Sequence, residues 1–373
     1  MRFPEFEGEW EKHRLSEYLD FKNGLNPDSK RFGKGIKFIS VMDILNNPVI
    51  TYDCIRASVQ ATDAEISSFS VENGDILFQR SSETLEDVGR ANVYIDDKVA
   101  VFGGFVIRGK KKANYDPLFF RYLLSSPYAR KRIIPMGAGA QHFNIGQEGL
   151  SKVSLNFPSI EEQTKIASLL HLLDERIATQ SKLIEDLKEL KSAISENLFK
   201  AVKGDVVILS EICEIIKGKQ VNGEFLSEKG KYYVMNGGTE PSGYYSDYNV
   251  KANTISISEG GNSCGYVQFN TSPFWSGGHC YTIQKIADNV DNLYLYHYLK
   301  SKEDAIMKLR ICSGLPNIQK KDLAMFKIKI PTVEQQKSIS TFLSSLERKA
   351  EIEKHIQNAI QNEKSYLLQH MFM

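Results

Sequence analysis

Residues 158–200 read PSIEEQTKIASLLHLLDERIATQSKLIEDLKELKSAISENLFK, and residues 331–373 read PTVEQQKSISTFLSSLERKAEIEKHIQNAIQNEKSYLLQHMFM. The two stretches align without a gap, because residue 158 falls on residue 331 and later residues keep the same offset of 173. Matching positions include the opening proline, Gln163 with Gln336, and Phe199 with Phe372. An internal repeat at a fixed period indicates that the chain is a tandem of two similar parts.

Each stretch is predicted to form one long amphipathic helix. Alternate steps of four and three residues fall mainly on apolar side chains, which is the heptad pattern of a helix that packs along a second helix. Proline opens both stretches, and neither contains an internal proline or glycine. About 40 residues would make a helix roughly 60 Å long, too long for the core of one small domain. The apolar positions predicted to line the helices are Ile166, Leu170, Leu173, Ile177, Leu187, Ile339, Leu343, Leu346 and Ile360.

The segments outside the helices repeat as well. Short strand patterns, a Gly-Gly pair and a helical stretch recur in the same order, and an Asn-Ile pair precedes the final strand of each segment, at 144 and at 317. The sequence therefore predicts an α/β chain of four parts. These are a globular segment at 1–157 (head 1), a long helix at 158–200, a second globular segment at 201–330 (head 2), and a long helix at 331–373.

The connectivity predicts that the two helices pair in antiparallel directions. If the first helix leads from head 1 to head 2, the second begins at head 2 and buries its apolar side most directly by running back along the first. The expected architecture is a two-headed dumbbell with a pseudo-two-fold axis. The polar heptad positions Gln180 and Glu353 are expected near that axis, where buried polar groups fix the register of paired helices.

Composition narrows the class of protein. Lys and Arg number 47 against 46 Asp and Glu, so the net charge of +1 gives no bulk attraction to nucleic acid, and DNA binding would need local contacts. The sequence shows no apolar run of membrane-spanning length and no signal-peptide core, which predicts a cytoplasmic protein without a membrane partner. The five cysteines are widely spaced and predicted to be reduced: Cys54, Cys213, Cys264, Cys280 and Cys312.

The sequence shows no convincing catalytic apparatus. Residues 104–110 match the first positions of a phosphate-binding loop, but Lys111 stands where a serine or threonine would hold magnesium. The Asn-Pro-Pro-Tyr or Asp-Pro-Pro-Tyr motif of amino-methyltransferases does not occur, and the histidines lack metal-ligand spacing. A thiol nucleophile at Cys280 or Cys264, with His279 as base, stays open as an alternative.

Polar loops that follow predicted strands are the candidates for DNA contact. In head 1, the strand at 76–78 leads into a loop that carries an arginine, a glutamine and several hydroxyls. Arginine can donate two hydrogen bonds to guanine, glutamine can pair with adenine, and hydroxyls suit phosphates or base edges. The predicted DNA-binding residues of head 1 are Gln79, Arg80, Ser81, Ser82 and Thr84.

Two glycine-rich loops of head 2 have the same character. Glycine permits close approach of a backbone, asparagine can read adenine, glutamate can accept from cytosine, and aromatic rings can stack. Ordinary solvated turns stay the alternative for these loops. The predicted DNA-binding residues of head 2 are Asn236, Gly237, Gly238, Tyr244, Glu259, Gly260, Asn262, Ser263 and His279.

The repeated pattern resembles a known family. An Asn-Ile pair, a strand ending in proline, Glu-x-Gln, and a closing Leu-x-x-x-(Leu or Met)-Phe run from Asn144 to Phe199 and again from Asn317 to Phe372. This pattern, with Arg2-Phe3-Pro4 near the start, resembles the DNA-specificity subunit of type I restriction-modification systems. The resemblance covers the whole chain.

The resemblance implies a non-catalytic subunit with two target-recognition heads. Each head would read one half of an interrupted site in double-stranded DNA. The long helices, with the nine apolar positions named above as spacer and docking residues, would set the gap and dock two DNA-methylation subunits. No cofactor is expected in this chain. S-adenosylmethionine is expected on the methylation subunits, and ATP and Mg on the restriction and translocase subunits. The main alternative is a coiled-coil scaffold whose heads bind peptides or proteins.

Overall fold

The computed structural model describes residues 1–139, 141–311 and 316–372. They form two compact units. Unit 1 comprises Met1–Ser181 together with the residues from His355 onward, and unit 2 comprises Lys182–Lys354. Head 1 lies in unit 1 and head 2 in unit 2, and each unit also contains part of both long helices. Two residues named in the predictions, Cys312 and Met373, lie outside the described residues.

The helices range from single turns to very long elements. Helices α1 to α6 are Leu15–Tyr18, Val41–Asn46, Asp63–Phe69, Pro117–Ser125, Pro127–Ile133 and Gln147–Lys152. Helices α7 to α12 are Ile160–Ala201, Leu209–Ile212, Asn292–Ser301, Glu303–Met307, Lys320–Ala324 and Val333–His370. Short 3-10 turns occupy Ser29–Arg31, Ile134–Met136 and Gly223–Phe225.

The strands are short and mostly antiparallel. In unit 1, β1 to β12 are Glu11–Arg14, Leu19–Asn23, Phe32–Ile39, Ser58–Val59, Ser70–Val71, Ile76–Gln79, Ser81–Ser82, Ala91–Val93, Ala100–Phe102, Val106–Lys111, Phe143–Asn144 and Ser154–Phe157. In unit 2, β13 to β21 are Asp205–Ile208, Glu214–Lys217, Tyr232–Met235, Tyr244–Tyr245, Thr254–Ser258, Val267–Asn270, Trp275–Ser276, Cys280–Gln284 and Lys327–Ile330.

The two heads share one sheet topology. The antiparallel sheet β2-β10-β6-β8 of head 1 corresponds to β14-β20-β17-β18 of head 2, and the pair β1-β12 corresponds to β13-β21. A second sheet, β4-β3-β9-β5, completes head 1, and β16-β15-β19 takes the matching place along the chain in head 2. In both of these sheets one strand pair is parallel. The prediction of a duplicated α/β head is thereby confirmed.

A repeated glutamine fixes the start of each long helix. Gln163 is buried; it accepts from Asp116 N at 3.1 Å and donates to Pro158 O at 3.0 Å. Gln336 is also buried and makes the same bonds, to Asp291 N at 2.7 Å and to the carbonyl oxygen of residue 331 at 2.9 Å. A buried amide must satisfy both its donor and its acceptor, which explains why this side chain recurs.

A phenylalanine that repeats in the two long stretches packs in the core of each unit. In unit 1, the ring of Phe372 lies 5.6 Å from that of Phe119 and 6.3 Å from that of Trp10, between centroids. In unit 2, the ring of Phe199 lies 5.7 Å from that of Tyr294 and 5.2 Å from that of Tyr298. Each phenylalanine comes from the far end of a long helix, so each core needs a helix that began outside the unit.

The long helices run antiparallel inside each unit. In unit 1, Asp174 of α7 pairs with Lys364 of α12, and Ser181 accepts from Gln357 at 2.5 Å, so the numbering rises along one helix as it falls along the other. In unit 2, Lys191 pairs with Glu347. The nine apolar positions predicted to line the helices are all buried or half-buried. Helices α7 and α12 contain 42 and 38 residues, so the expected length of about 60 Å holds for both.

The structure corrects one predicted element. The sequence pattern from Pro117 to Ile134 predicts a helical stretch, but Ser126 is extended, with φ −67° and ψ 151°, and separates α4 from α5. The cause is Pro127, because a proline ring disfavours helical geometry at the preceding residue. The Ser126 hydroxyl then caps α5 by accepting from Ala129 N at 3.3 Å.

Candidate nucleic-acid interface

In head 1, the predicted contact residues lie where β6 ends. Both backbone groups of Arg80 are hydrogen-bonded. Its N–H donates to Phe105 O at 2.9 Å, and its carbonyl accepts from Ile145 N at 2.9 Å. Its half-buried side chain donates from Nη1 to Gly104 O at 3.2 Å. A guanidinium has five donors, so this bond leaves donors for a ligand.

The serines beside Arg80 belong to the same edge. Ser81 and Ser82 form β7, which pairs with β11, and the Ser81 hydroxyl donates to Asn144 Oδ1 at 2.5 Å. Thr84 is exposed at the loop tip and donates to Asp87 Oδ2 at 2.9 Å. Both serines are half-buried, so their hydroxyls keep access to solvent. The structure thus brings the arginine and the hydroxyls onto one edge of head 1.

Gln79 lies beneath this edge. Its side chain is only 5% exposed, and its Nε2 donates to Ser81 O at 2.9 Å. Its Oε1 is buried without a hydrogen-bond partner among the described residues. Gln79 therefore supports the loop from inside.

In head 2, five of the predicted residues come together at the end of β17. Asn236 Oδ1 accepts a hydrogen bond from His279 N at 3.1 Å. Gly260 forms an isolated antiparallel β-bridge with Asn317, which precedes α11. Gly237 has φ +89°, and a Cβ at this position would lie 3.0 Å from His279 O. Glycine is therefore required at Gly237 for the two loops to approach. Glu259 completes the group.

The other predicted residues of head 2 lie in the flanking loops. Asn262 is exposed and Ser263 half-buried, both in the loop that follows Gly260. Gly238 follows Gly237 and is half-buried. Tyr244 is half-buried on β16, which pairs with β15, the strand that leads to Asn236.

Glu259 is the most buried charge of the group. Its residue is 4% exposed, and its Oε1 accepts from Lys217 Nζ at 2.6 Å and from the Tyr281 hydroxyl at 2.9 Å. Burial, together with this hydrogen bond, raises the pKa of Tyr281 above its usual range. Glu259 Oε2 lies 3.7 Å from His279 Nδ1 and is buried without a hydrogen-bond partner among the described residues. One oxygen of the Glu259 carboxylate, Oε2, can therefore still accept a hydrogen bond, and it lies close to the exposed His279.

Matching backbone hydrogen bonds show that Arg80 and Glu259 occupy the same position in the two heads. Glu259 N donates to His279 O at 2.9 Å, as Arg80 N does to Phe105 O. Ile318 N donates to Glu259 O at 2.8 Å, as Ile145 N does to Arg80 O. One backbone frame therefore carries a cation beside Phe105 in head 1 and an anion beside His279 in head 2.

Sequence reasoning missed Phe105. Its side chain is 68% exposed although it is large and apolar. It was assigned to a strand, but β10 begins at Val106. The Gly-Gly pairs at 103–104 and 277–278 could have identified Phe105 as a candidate. Their alignment places Phe105 on His279, which is among the predicted contacts.

The environment of the thiols does not favour nucleophilic chemistry. Cys280 is buried, and burial raises its pKa to about 11. Cys264 is also buried, its Sγ donates to Glu259 O at 3.0 Å, and burial raises its pKa. A reactive cysteine needs a lowered pKa and access to substrate. Within the described residues, no cluster of His, Cys, Asp and Glu suits a metal ion, and no helix is long and apolar enough to cross a membrane.

Comparison with known proteins gives one consistent family. The model of the type I restriction modification DNA specificity domain matches residues 7–189 and again residues 202–362. A specificity subunit attributed to the type I restriction enzyme MjaX of Methanocaldococcus jannaschii is 22% identical over 404 residues, covering 96% of this chain and 92% of that protein. The MjaVIII specificity subunit of the same organism is 21% identical and covers 99% of this chain and 92% of its own length.

Solved structures agree in fold. The crystal structure of the S subunit of a type I restriction-modification system from Mycoplasma genitalium superposes with a TM-score of 0.66 at 18% identity, covering 98% of this chain and 96% of that one. The HsdS subunit from Thermoanaerobacter tengcongensis gives a TM-score of 0.51 at 16% identity, covering 100% and 98% of the two chains.

Proposed function

The chain belongs to the type I restriction-modification DNA specificity family, and on that premise we propose that head 1 and head 2 each bind one half of a two-part target in double-stranded DNA. The observation that supports this proposal is that Arg80 and Glu259 make matching backbone hydrogen bonds in the two heads but carry side chains of opposite charge. Arg80 suits guanine, and Glu259 suits a base that presents an amino group, such as cytosine. Two similar heads with different chemistry are suited to two different half-sites.

We propose the following division of work at each edge. Arg80, Ser81, Ser82 and Thr84 of head 1 meet base edges and phosphates, because they are the accessible members of the predicted set. Gln79 supports them from below. In head 2, Asn236, Asn262 and His279 are accessible, while Gly237, Gly238 and Gly260 let the backbone approach the DNA. The unused Oε2 of Glu259 is the acceptor that a base amino group can reach after a small shift of His279.

The chemistry of modification is proposed to lie on partner subunits. The chain is proposed to serve as the non-catalytic member of the complex, which agrees with the burial and raised pKa of the Cys264 and Cys280 thiols. We propose that it recruits two DNA-methylation subunits, which would bind S-adenosylmethionine, and restriction subunits, which would use ATP and Mg.

The long helices are the proposed docking surface for the methylation subunits. Of the predicted apolar positions, Leu170 and Leu343 are fully buried and the others are buried or half-buried, so a partner would also meet other side chains. Several large apolar residues remain exposed on the same helices: Leu172, Leu183, Leu190, Phe342, Ile352 and Ile356. A partner protein that packs along these helices would cover such apolar side chains and remove them from water. We propose that these six residues contribute to docking.

The test is methylation by the full chain co-expressed with its methylation subunits. Mapping methylated adenines across a genome should return one two-part sequence with a fixed gap. Arg80→Ala should then weaken methylation of correct sites by about 10-fold to 100-fold and relax the choice of base at one position of one half-site, since a bidentate contact discriminates by ~1–3 kcal/mol.

Matched variants separate base reading from general damage. Arg132→Ala removes another cation of head 1, outside the contact edge, and should leave the sequence preference unchanged. Methylation that does not depend on a two-part site would refute the proposal. DNA-independent binding of a peptide or protein by the heads that persists at high salt would favour the scaffold alternative, because phosphate contacts weaken steeply with salt.

A further inference from the structure

Head 1 carries an apolar cavity beside Arg80. It has a volume of about 480 Å³ and opens to solvent. Its apolar lining includes Phe32, Phe38, Met42 and Phe105, and Ser81 also lines it. Phe105 is 68% exposed, Met42 61% and Phe32 43%. Because exposed large apolar side chains that gather around one cavity are unusual on a free surface, they indicate a ligand with an apolar part.

The cavity adjoins the proposed base-reading group directly. Arg80 Nη1 donates to Gly104 O at 3.2 Å, and Gly104 lines the cavity. Arg80 N donates to the carbonyl of Phe105 at 2.9 Å. A ligand that meets the guanidinium of Arg80 therefore also meets the ring of Phe105.

Two exposed lysines lie close to Phe32 in the chain, at positions 30 and 34. Phe32 and Ile36 both pair with Val59, so residues 33–35 bulge out of β3. Gly33 and Gly35 have φ of +98° and +99°, and a Cβ on Gly33 would meet open space. Bulges re-aim side chains at functional sites, and this one presents an exposed lysine. Lys30 and Lys34 are exposed and form no ion pair within the described part of the chain, whereas Arg31 is paired with Glu65.

We propose that this cavity of head 1 receives the 5-methyl group of a thymine next to the base that Arg80 reads, while Lys30 and Lys34 meet the phosphates. The inference rests on the proposed DNA-reading function and names a base within the half-site of head 1. Thymine is the base that presents an apolar group in the major groove, and phenylalanine is a known partner for its methyl. The flanking cations complement the charge of a DNA backbone, which an apolar protein partner would not require.

The corresponding position in head 2 makes the inference specific to head 1. His279 stands where Phe105 does, and beside it lies the buried carboxylate of Glu259 rather than a guanidinium. A histidine next to a carboxylate is a polar site. The half-site of head 2 is therefore expected to show no methyl dependence through this position.

The test replaces each thymine of the mapped target with 2′-deoxyuridine, one position at a time, and measures binding and methylation by the complete complex. At one thymine position of one half-site, DNA that carries deoxyuridine should bind the complex about fourfold more weakly. Burying one methylene-sized group contributes ~0.8 kcal/mol, and ~1.4 kcal/mol corresponds to a tenfold change in affinity. The Phe105→Ala variant should bind thymine and deoxyuridine equally at that same position, and Met42→Ala should reduce the difference.

Phe225→Ala is the matched control, since this phenylalanine of head 2 is 65% exposed, and it should keep the full thymine effect. The inference is overturned if no thymine shows a methyl effect, if the effect persists in Phe105→Ala, or if that variant fails only in assembly with the methylation subunits. A ring that wedges between base pairs would also contradict it, because wedging is indifferent to the methyl. Methylation without a two-part site would instead refute the proposed function itself.

Discussion

At the scale of the residue, the two heads place different side chains on matching backbone. Arg80 and Glu259 share the same pair of backbone hydrogen bonds, and their side chains have opposite charge. A frame fixed by backbone lets side chains change without disturbing the sheet beneath, because the bonds that hold the loop do not depend on the side chain. This separation is suited to a protein whose target differs from one head to the other.

Another single residue makes unit 2 sensitive to acid. His297 is 2% exposed, and its Nε2 lies 2.9 Å from Ser344 Oγ. Burial lowers the pKa of His297 to about 4, with Lys191 acting in the same direction and Glu347 and Asp291 opposing it. Because the folded pKa lies below the usual value, the unfolded chain binds the proton first as the pH falls. The contribution of His297 to the free energy of unfolding is therefore present at pH 7, and it is lost progressively as the pH falls below about 6.5.

The expected loss from His297 between pH 7 and pH 5 is about 2 kcal/mol. Urea unfolding of the full chain at both pH values measures it, compared with His297→Gln, in which this part of the pH dependence should disappear. His171→Gln is the control for replacing a histidine by glutamine at a more exposed position, since the His171 side chain is 43% exposed. An equal pH dependence in His297→Gln and the parent protein would contradict the assignment.

At the scale of the element, the long helices are tied to a head through a half-buried carboxylate in each unit. In unit 1, Asp174 of α7 accepts from the Tyr122 hydroxyl at 2.7 Å and pairs with Lys364 of α12. In unit 2, Glu347 of α12 accepts from the Tyr296 hydroxyl at 3.1 Å and pairs with Lys191 of α7. Each carboxylate therefore joins both helices and a head helix, which fixes the register of all three.

Asp174→Ala is expected to lower the free energy of unfolding by about 2 kcal/mol, since it leaves Lys364 and Tyr122 without their acceptor. The double variant Asp174→Ala with Lys364→Ala should lose less than the sum of the two single variants, by about 1 kcal/mol. Chemical unfolding of the full chain checks both values. Glu175→Ala, whose side chain is 62% exposed, is the control with no expected change. Strict additivity would show that the pair does not act as a unit.

At the scale of the whole molecule, the duplication makes each unit depend on both helices. The core of unit 1 includes Phe372 from the end of the chain, and the core of unit 2 includes Phe199 from the end of α7. Neither head completes its core from its own globular segment. We therefore expect helix length to be coupled to function, and the proposed role of the helices is to set the gap between the half-sites.

Inserting one heptad into both helices, after Gln180 and after Glu353, should lengthen the preferred gap by about three base pairs, because seven residues extend a helix by about 10 Å. Inserting the heptad into α7 alone should abolish methylation or assembly, since the heptad positions of the two helices would no longer match. Genome-wide mapping of methylated adenines measures the gap. An active complex with an unchanged gap would refute the spacer role.

The sequence by itself determined the duplication, the two long helices and the family. Heptad spacing and a constant offset depend only on the order of residues, and buried positions such as Gln163 and Gln336 repeat because the same hydrogen bonds must be made twice. The predicted contact residues stay predictions, and the sequence could not rank them by access. Only the tertiary structure showed that Gln79 and Glu259 are buried while Phe105 is exposed, because burial depends on which distant strands and loops cover a residue. The pairing of Arg80 with Phe105, and of Glu259 with His279, likewise required the folded sheets. Each pair lies just outside the adjoining ends of two paired strands, β6 and β10 or β17 and β20, that are remote in the chain.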